Sequence, residues 1–337
     1  MKELRVAIVG ATGMVGQEFI KVLEQRKLPM KEISLFASDR SAGRKMHVNH
    51  SYIEVKETSN DSFKDTDVAL FSAGADISKI FSPVAAKSGA VVIDNSAAFR
   101  MDDNVPLVVP EINMEDAKSH KGIIANPNCS TIQMVVALYP LHRVNPIKRI
   151  TVSTYQSVSG TGAAAVDELS TQSKLLSKGL SVTPHIYPYQ IAFNVLPEID
   201  SFMDNGYTKE EWKMLQETRK IMHAPEVLVS ATCVRVPVFI GHAVSVHAEF
   251  SQPITPEEAR KILSGAPGVK VVDEPGKSIY PYPVMAAGTD DTYVGRIRKD
   301  VSHPNGLAMW IVADNIRKGA ALNAVQIAEE MLKRNWI

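Results

Sequence analysis

The stretch Val6-Ala-Ile-Val-Gly10-Ala-Thr-Gly13-Met-Val-Gly16 decides the fold. The apolar run from Val6 to Val9 reads as a short strand buried on both faces. Glycines follow at once, and a helical pattern then runs over residues 14–25. A strand that turns through small residues into a helix is the first βα unit of a dinucleotide-binding sheet. The backbone can approach a pyrophosphate there, and the helix N-terminus meets its charge. The candidate contacts are Gly10, Thr12, Gly13, Met14 and Val15. The spacing Gly-x-x-Gly-x-x-Gly varies the usual fingerprint, and a tight turn without a ligand is the plain alternative.

Outward from this unit, residues 33–37, 68–71 and 91–94 are further β-rich runs, with a helical stretch at 77–87. Such alternation argues for a parallel sheet covered by helices. The end of the second strand should meet the adenosine ribose. It reads Ala37-Ser38-Asp39-Arg40-Ser41-Ala42-Gly43-Arg44. Asp39 suits a 2′-hydroxyl and hence NAD. Ser38, Arg40 and Ser41 supply donors for a 2′-phosphate, and NADP is the preferred reading. The plain alternative for Arg40 and Arg44 is a solvated loop.

From Ile147 the texture changes. Residues 150–155, 228–237, 243–250, 292–298 and 307–313 read as strands, some with the alternation of a sheet covered on one face. Helical patterns lie at 163–177 and 209–223, and Thr255-Pro-Glu-Glu258 starts another with a capping box. The helix at 163–177 has a small, apolar face that suits either a partner subunit or its own core. A final helix over 320–333 is expected to pack back on the first domain. The expected fold class is α/β: an N-terminal Rossmann-type, doubly wound parallel sheet plus a C-terminal α+β domain with a mixed sheet. The expected division is 1–128, completed by 316–337, and 129–315.

The residue that points to chemistry is Cys129, in Ala125-Asn-Pro-Asn128-Cys129-Ser-Thr131. A short strand precedes it and a helical pattern to about His142 follows. Asn128 or a neighbour caps that helix, so Cys129 falls in the first turn. Unpaired N–H groups and the positive end of the dipole stabilise a thiolate there. A thiolate so placed is a nucleophile for acyl-enzyme chemistry. The bland alternative is a buried cysteine acting as a small hydrophobe.

Composition narrows the field. Lys plus Arg and Asp plus Glu number 37 each, so no net charge argues for nucleic acid or an anionic membrane. No apolar run approaches the roughly 20 residues of a membrane span. The start leads directly into a strand rather than a secretory signal. The only other cysteine, Cys233, is far along the chain, so neither a disulfide framework nor a zinc site is suggested, and a reducing cytoplasm is expected.

The glycine loop and Asn128-Cys129-Ser-Thr131 together resemble the aspartate-β-semialdehyde dehydrogenase family. Asp94-Asn-Ser-Ala-Ala-Phe-Arg100, Val109-Pro-Glu-Ile-Asn113, Gln156-Ser-Val-Ser-Gly160, Glu217-Thr-Arg-Lys220 and Arg235-Val-Pro-Val-Phe-Ile-Gly-His242 extend the likeness in one order along essentially the whole chain. The resemblance implies a Rossmann domain, a catalytic and dimerisation domain, and a homodimer. It implies reversible, phosphate-dependent conversion of aspartate semialdehyde to aspartyl phosphate with NADP, serving lysine, threonine, methionine and diaminopimelate synthesis.

Residue by residue, Cys129 resembles the nucleophile and His242 the general acid/base. An unperturbed imidazole titrates near neutrality, which suits that role. A structural strand histidine is the plain alternative. Gln156 resembles the residue orienting the substrate beside the thiol. Arg235 resembles the clamp on the substrate carboxylate, for which a planar fork is apt, and Glu217 the partner of its ammonium group. Arg100 and Lys220 resemble the phosphate-binding pair, with Asn128 nearby. Glu217 and Lys220, three apart on a predicted helix, share a face; a solvated ion pair is the usual meaning of that spacing. Ser159, Gly160 and Asn315 resemble cofactor contacts. N-acetyl-glutamyl-phosphate reductase and glyceraldehyde-3-phosphate dehydrogenase are rival readings, but neither must bind a free ammonium group. A nucleotide-binding regulator would not need Cys129, Gln156 and His242 together.

Overall fold

The computed structural model describes residues 2–337. The chain forms two compact units, Met1–Asn128 with Ala320–Ile337, and Cys129–Gly319.

The first unit is built on a seven-stranded sheet. Its strands are β1 (Leu4–Val9), β2 (Met30–Ala37), β3 (Lys45–Val48), β4 (Ser51–Glu57), β5 (Val68–Phe71), β6 (Val91–Asp94) and β7 (Ile123–Ala125), in the order β3-β4-β2-β1-β5-β6-β7. All neighbours are parallel except β3, which runs antiparallel to β4 at the edge. The β3–β4 hairpin does not follow from the helix–strand alternation, and it makes this sheet mixed. Helices α1 (Met14–Arg26), α2 (Ala75–Lys87) and the short α3 (Pro110–Asn113) belong to this unit.

The second unit carries a six-stranded sheet. The strands are β8 (Ile147–Gln156), β9 (Leu228–Arg235), β10 (His242–Phe250), β11 (Val269–Val271), β12 (Thr292–Lys299) and β13 (Gly306–Ala313), in the order β11-β12-β13-β10-β8-β9. The β8–β9 and β11–β12 pairs are parallel and the rest antiparallel, so this sheet too is mixed. The helices are α4 (Cys129–Val144), α5 (Ala163–Leu176), α6 (Lys209–Met222), α7 (Pro256–Ser264) and α8 (Pro283–Ala286). Helix α4 is buried on nearly every side, as its apolar sequence requires. It packs on α6, α7 and the sheet. The capping box at Thr255 forms as expected, and an equivalent box at Thr208 starts α6. The buried face of α5, with Ala165 and Leu169, packs on Val158, Ile191, Ala192 and Leu196, so it serves its own core.

The last helix, α9 (Leu322–Lys333), belongs to the first unit. Its buried residues, among them Leu322, Val325, Ile327 and Met331, join the cluster of Leu4, Ile8, Phe19 and Leu23. Arg26 grips Glu329 through two bonds of 2.7 Å. Asn323 Nδ2 donates to Val108 O at 2.9 Å and to Asn126 Oδ1 at 2.7 Å. Where the helical pattern suggested a start at 320, a π-helical turn, Arg317–Ala321, precedes it. Among the described residues no helix is long and apolar enough to cross a membrane.

Candidate active site

The second sheet gathers chemistry at one end. Gln156 closes β8, Arg235 closes β9, and the two are register partners. His242 opens β10 opposite Ala313, the last residue of β13. Asn315 follows two residues later. Parallel and antiparallel pairing thus bring residues from four distant stretches of sequence to one edge.

His242 is completely buried. Its Nδ1 accepts the backbone N–H of Ser157 at 3.0 Å, and Ser157 Oγ lies 3.0 Å from the same nitrogen. Its Nε2 has no hydrogen-bond partner. Burial pushes the imidazole pKa well below the usual histidine range, and the Arg235 guanidinium adds to the effect. Titration near neutrality, the ordinary expectation for histidine, therefore does not hold at this position.

Arg235 is buried, and its Nη1 donates to Ser157 O at 2.7 Å. Its Nε is unpaired. Gly160 backs onto both side chains: a Cβ there would lie 3.0 Å from Arg235 Nη1 and 3.3 Å from His242 Nε2. Asn315 ties the cluster together. Its Oδ1 accepts from Gly241 N at 2.9 Å and from Ser157 Oγ at 3.1 Å, while its Nδ2 donates to Ser159 Oγ at 3.0 Å. The Gln156 amide donates to Glu210 Oε1 at 3.1 Å and accepts from Thr154 Oγ1 at 2.9 Å. Glu210, Glu217 and Lys220 all lie on α6, the first two buried and Lys220 half-buried. Helix α6 packs against α4 and β9.

Cys129 is the first residue of α4 and is partly exposed. Gly319 lies against it: a Cβ on Gly319 would come within 2.8 Å of Cys129 Cβ. Gly319 N donates to Asp314 O at 3.0 Å. Asp314 Oδ1 accepts from Ile316 N at 2.8 Å and Arg317 N at 3.0 Å, which fixes the turn. Such π-helical turns recur at functional sites. The other cysteine, Cys233, is fully buried with its sulfur 3.8 Å from Met214 Sδ, and burial pushes its thiol pKa up. It is the inert one of the two.

In the first unit, Gly13 caps α1 with no side-chain bond to the first-turn N–H groups. Gly10 and Gly16 have different work. A Cβ on Gly10 would meet Ser72 O at 2.3 Å, and one on Gly16 would meet Gly10 O at 2.1 Å. They permit close strand and helix packing, while Thr12, Gly13, Met14 and Val15 form the turn into α1. Thr12 Oγ1 lies 3.4 Å from Ser41 Oγ, joining this turn to the ribose loop. In that loop the Asp39 carboxylate accepts Arg40 N at 2.8 Å. Ser38 and Arg40 are exposed. A first turn free of side-chain caps, beside hydroxyl and guanidinium donors, fits a phosphorylated dinucleotide.

Arg100, also of the first unit, is buried. Its Nε donates to Asn126 O at 2.9 Å and its Nη2 to Asn95 O at 2.8 Å. Asn126 Nδ2 donates to Asn95 Oδ1 at 2.8 Å, which braces the segment leading to the buried Asn128. Ser157, Glu210 and Gly319 are participants that the sequence patterns did not single out. Ser157 lies inside a quoted motif without an assigned role, and Gly319 carries no signal before its neighbour is known.

Comparison with known proteins agrees with this architecture. Residues 5–120 match the family model for the semialdehyde dehydrogenase NAD binding domain, and residues 138–318 that for the semialdehyde dehydrogenase dimerisation domain. An aspartate-semialdehyde dehydrogenase of Aquifex aeolicus (strain VF5) is 57% identical over 337 residues, covering 99% of each chain. The crystal structure of aspartate semialdehyde dehydrogenase II from Vibrio cholerae, complexed with ASA, is similar with a TM-score of 0.96 at 47% identity, covering 99% of each chain. The Candida albicans enzyme, solved with NADP, gives a TM-score of 0.77 at 26% identity, covering 100% of both chains.

Proposed function

The chain belongs to the aspartate-semialdehyde dehydrogenase family, and from that premise we propose that it converts L-aspartate 4-semialdehyde and inorganic phosphate reversibly to L-aspartyl-4-phosphate, with NADP and a Cys129 thioester. The observation that carries this reading is the convergence of Gln156, Arg235 and His242 at one sheet end, in the unit whose helix α4 opens with Cys129.

Cys129 attacks the aldehyde carbon as thiolate, with His242 taking the proton as general acid/base. Arg235 holds the substrate carboxylate through its free Nε edge, Glu217 meets the ammonium group, and Gln156 orients the reacting carbon. NADP, when bound, accepts the hydride. Thr12, Gly13, Met14 and Val15 would hold its pyrophosphate, with Gly10 letting the turn pack close beneath it; Ser38, Arg40 and Ser41 would hold its 2′-phosphate; Ser159, Gly160 and Asn315 would line its nicotinamide end. The exposed Arg40 guanidinium and the Ser38 and Ser41 hydroxyls beside it support NADP over NAD. Arg100, Lys220 and Asn128 hold the phosphate that attacks the thioester.

In the cell we place the chain in the cytoplasm, running towards the semialdehyde that feeds lysine, threonine, methionine and diaminopimelate synthesis. It works as a homodimer. The second sheet's less covered face, with Tyr155 and Trp310 rings 5.1 Å apart, supports self-association in the unit that matches a dimerisation domain. The test is the rate of reduced-nucleotide formation from aspartate semialdehyde, with NADP or NAD and with or without phosphate. Phosphate-dependent turnover that prefers NADP is expected. Turnover indifferent to phosphate, or none with this substrate, would overturn the reading.

A further inference from the structure

We propose that Glu210 is a positioning residue for the reaction: its carboxylate fixes which way round the Gln156 amide sits, and so which of its groups are left for the substrate. This rests on the reaction proposed above and adds to it the group that aims Gln156.

Gln156 ends β8 with its side chain buried. The oxygen and nitrogen ends of an amide have nearly the same shape, so packing alone does not set its orientation. Hydrogen bonds do. The Gln156 nitrogen lies 3.1 Å from Glu210 Oε1. A carboxylate only accepts, so it takes an amide N–H and repels an amide oxygen. On the other side the Thr154 hydroxyl meets Gln156 Oε1 at 2.9 Å. That contact completes the pairing without deciding it. A hydroxyl serves as donor or acceptor, and Thr154 also lies beside the Cys233 thiol, its register partner on β9. The carboxylate alone decides. With both bonds made, one amide N–H and one oxygen lone pair remain for the substrate.

Glu210 is itself held in place. It is buried in the first turn of α6, behind the Thr208 capping box. Its Oε2 accepts from Lys213 Nζ at 3.2 Å, and Lys213 also donates to Asp200 Oδ2 at 2.8 Å. A cation and a helix N-terminus both favour the ionised carboxyl. The neighbouring Glu211 seats the same turn on the sheet, accepting Cys233 N at 2.9 Å and Thr208 N at 2.7 Å. The chain Asp200–Lys213–Glu210–Gln156 thus runs from partly exposed groups to the sheet end. Burying a carboxylate is costly, and an apolar residue would serve packing equally well. Here the buried charge is set against one functional amide. Glu210 acts through Gln156.

The test is a double-substitution cycle on the purified full-length protein, assayed with aspartate semialdehyde, NADP and phosphate. Glu210→Gln keeps the size of the side chain but offers an N–H as well as an oxygen, so the Gln156 amide can turn either way. Its kcat should fall about 10- to 100-fold, as for a group misplaced by up to about 1 Å near reacting atoms, with little change in KM. In a Gln156→Ala background the same change should alter kcat by less than about twofold, because the group it acts through is gone. Equal losses in the two backgrounds would assign Glu210 to the fold alone and overturn the proposal. Lys213→Met, at the partly exposed end of the chain, carries the test if Glu210→Gln does not fold. It should lower kcat when Gln156 is present and not when Gln156 is alanine; an equal effect in both, or none, would overturn the proposal. These outcomes leave the reaction standing, whereas absence of wild-type turnover on the semialdehyde would remove the proposed reaction itself.

Discussion

Gly319 is the residue whose part in the site is least visible until the chain is folded. Its missing side chain is what lets Cys129 sit at the start of α4. Gly319→Ala would press a methyl group into Cys129 Cβ and shift the thiol. Displacements of about 1 Å near reacting atoms can lower rates about 10²-fold, so kcat should fall by that order while NADP affinity, measured by fluorescence titration, stays unchanged. Equal loss of NADP binding would contradict a local effect. Cys129 itself was legible because Asn-Pro-Asn and Ser-Thr spell a turn and a helix start. Gly319 was not, since a glycine in Arg317-Lys-Gly319-Ala-Ala321 looks like any small residue in a helical run. Ser157 was hidden for another reason: it acts through its main-chain N–H, which every residue but proline possesses.

At the scale of elements, the strands flanking the glycine loop were readable because a buried parallel strand is a plain apolar run. The hairpin β3–β4 was not. Lys45-Met-His-Val48 is the edge strand and Ser51-Tyr-Ile-Glu-Val-Lys-Glu57 its neighbour, both half polar and mostly exposed, and Gly43-Arg44 before them reads equally well as a ligand loop. The turn Asp39–Ser41 between β2 and β3 carries the cofactor choice. Arg40→Ala should weaken NADP binding about tenfold or more while leaving NAD nearly unaffected, as one lost guanidinium–phosphate contact implies. Equal losses for the two cofactors would show that Arg40 does not meet the 2′-phosphate.

A second element-scale device lies at the end of β12. Asp300 accepts from Ser302 and lies 2.7 Å from His247 Nδ1 on β10. These bonds, led by Ser302, lower its pKa to about 2. An unfolded aspartate titrates at about 3.9. The stabilisation is therefore complete above about pH 4 and is lost as pH falls through about 2. Asp300→Asn should lower Tm at neutral pH, and its deficit relative to wild type should shrink on acidification. A deficit that does not change with pH would assign the loss to packing.

For the whole molecule, the chain must return to its first unit after completing the second, and α9 makes that return. Its apolar stripe allowed the return to be expected from sequence. The polar tie that fixes it, Asn323 to Val108 and Asn126, could not be read because the partners are about two hundred positions away. Asn323→Ala would leave a buried carbonyl and a buried amide oxygen unpaired. The expected loss is about 1–3 kcal/mol, read from urea unfolding. A change within a few tenths would mean that these groups find other partners.

The covalent claim is the centre of the account, and it can be observed directly. The protein is mixed with aspartate semialdehyde and NADP without phosphate, quenched in acid, digested and weighed by mass spectrometry. An aspartyl acyl group on the peptide containing Cys129, removed when phosphate is added before the quench, is the predicted result. NADPH formed with no acyl group on Cys129, or with the group on Cys233, would contradict it.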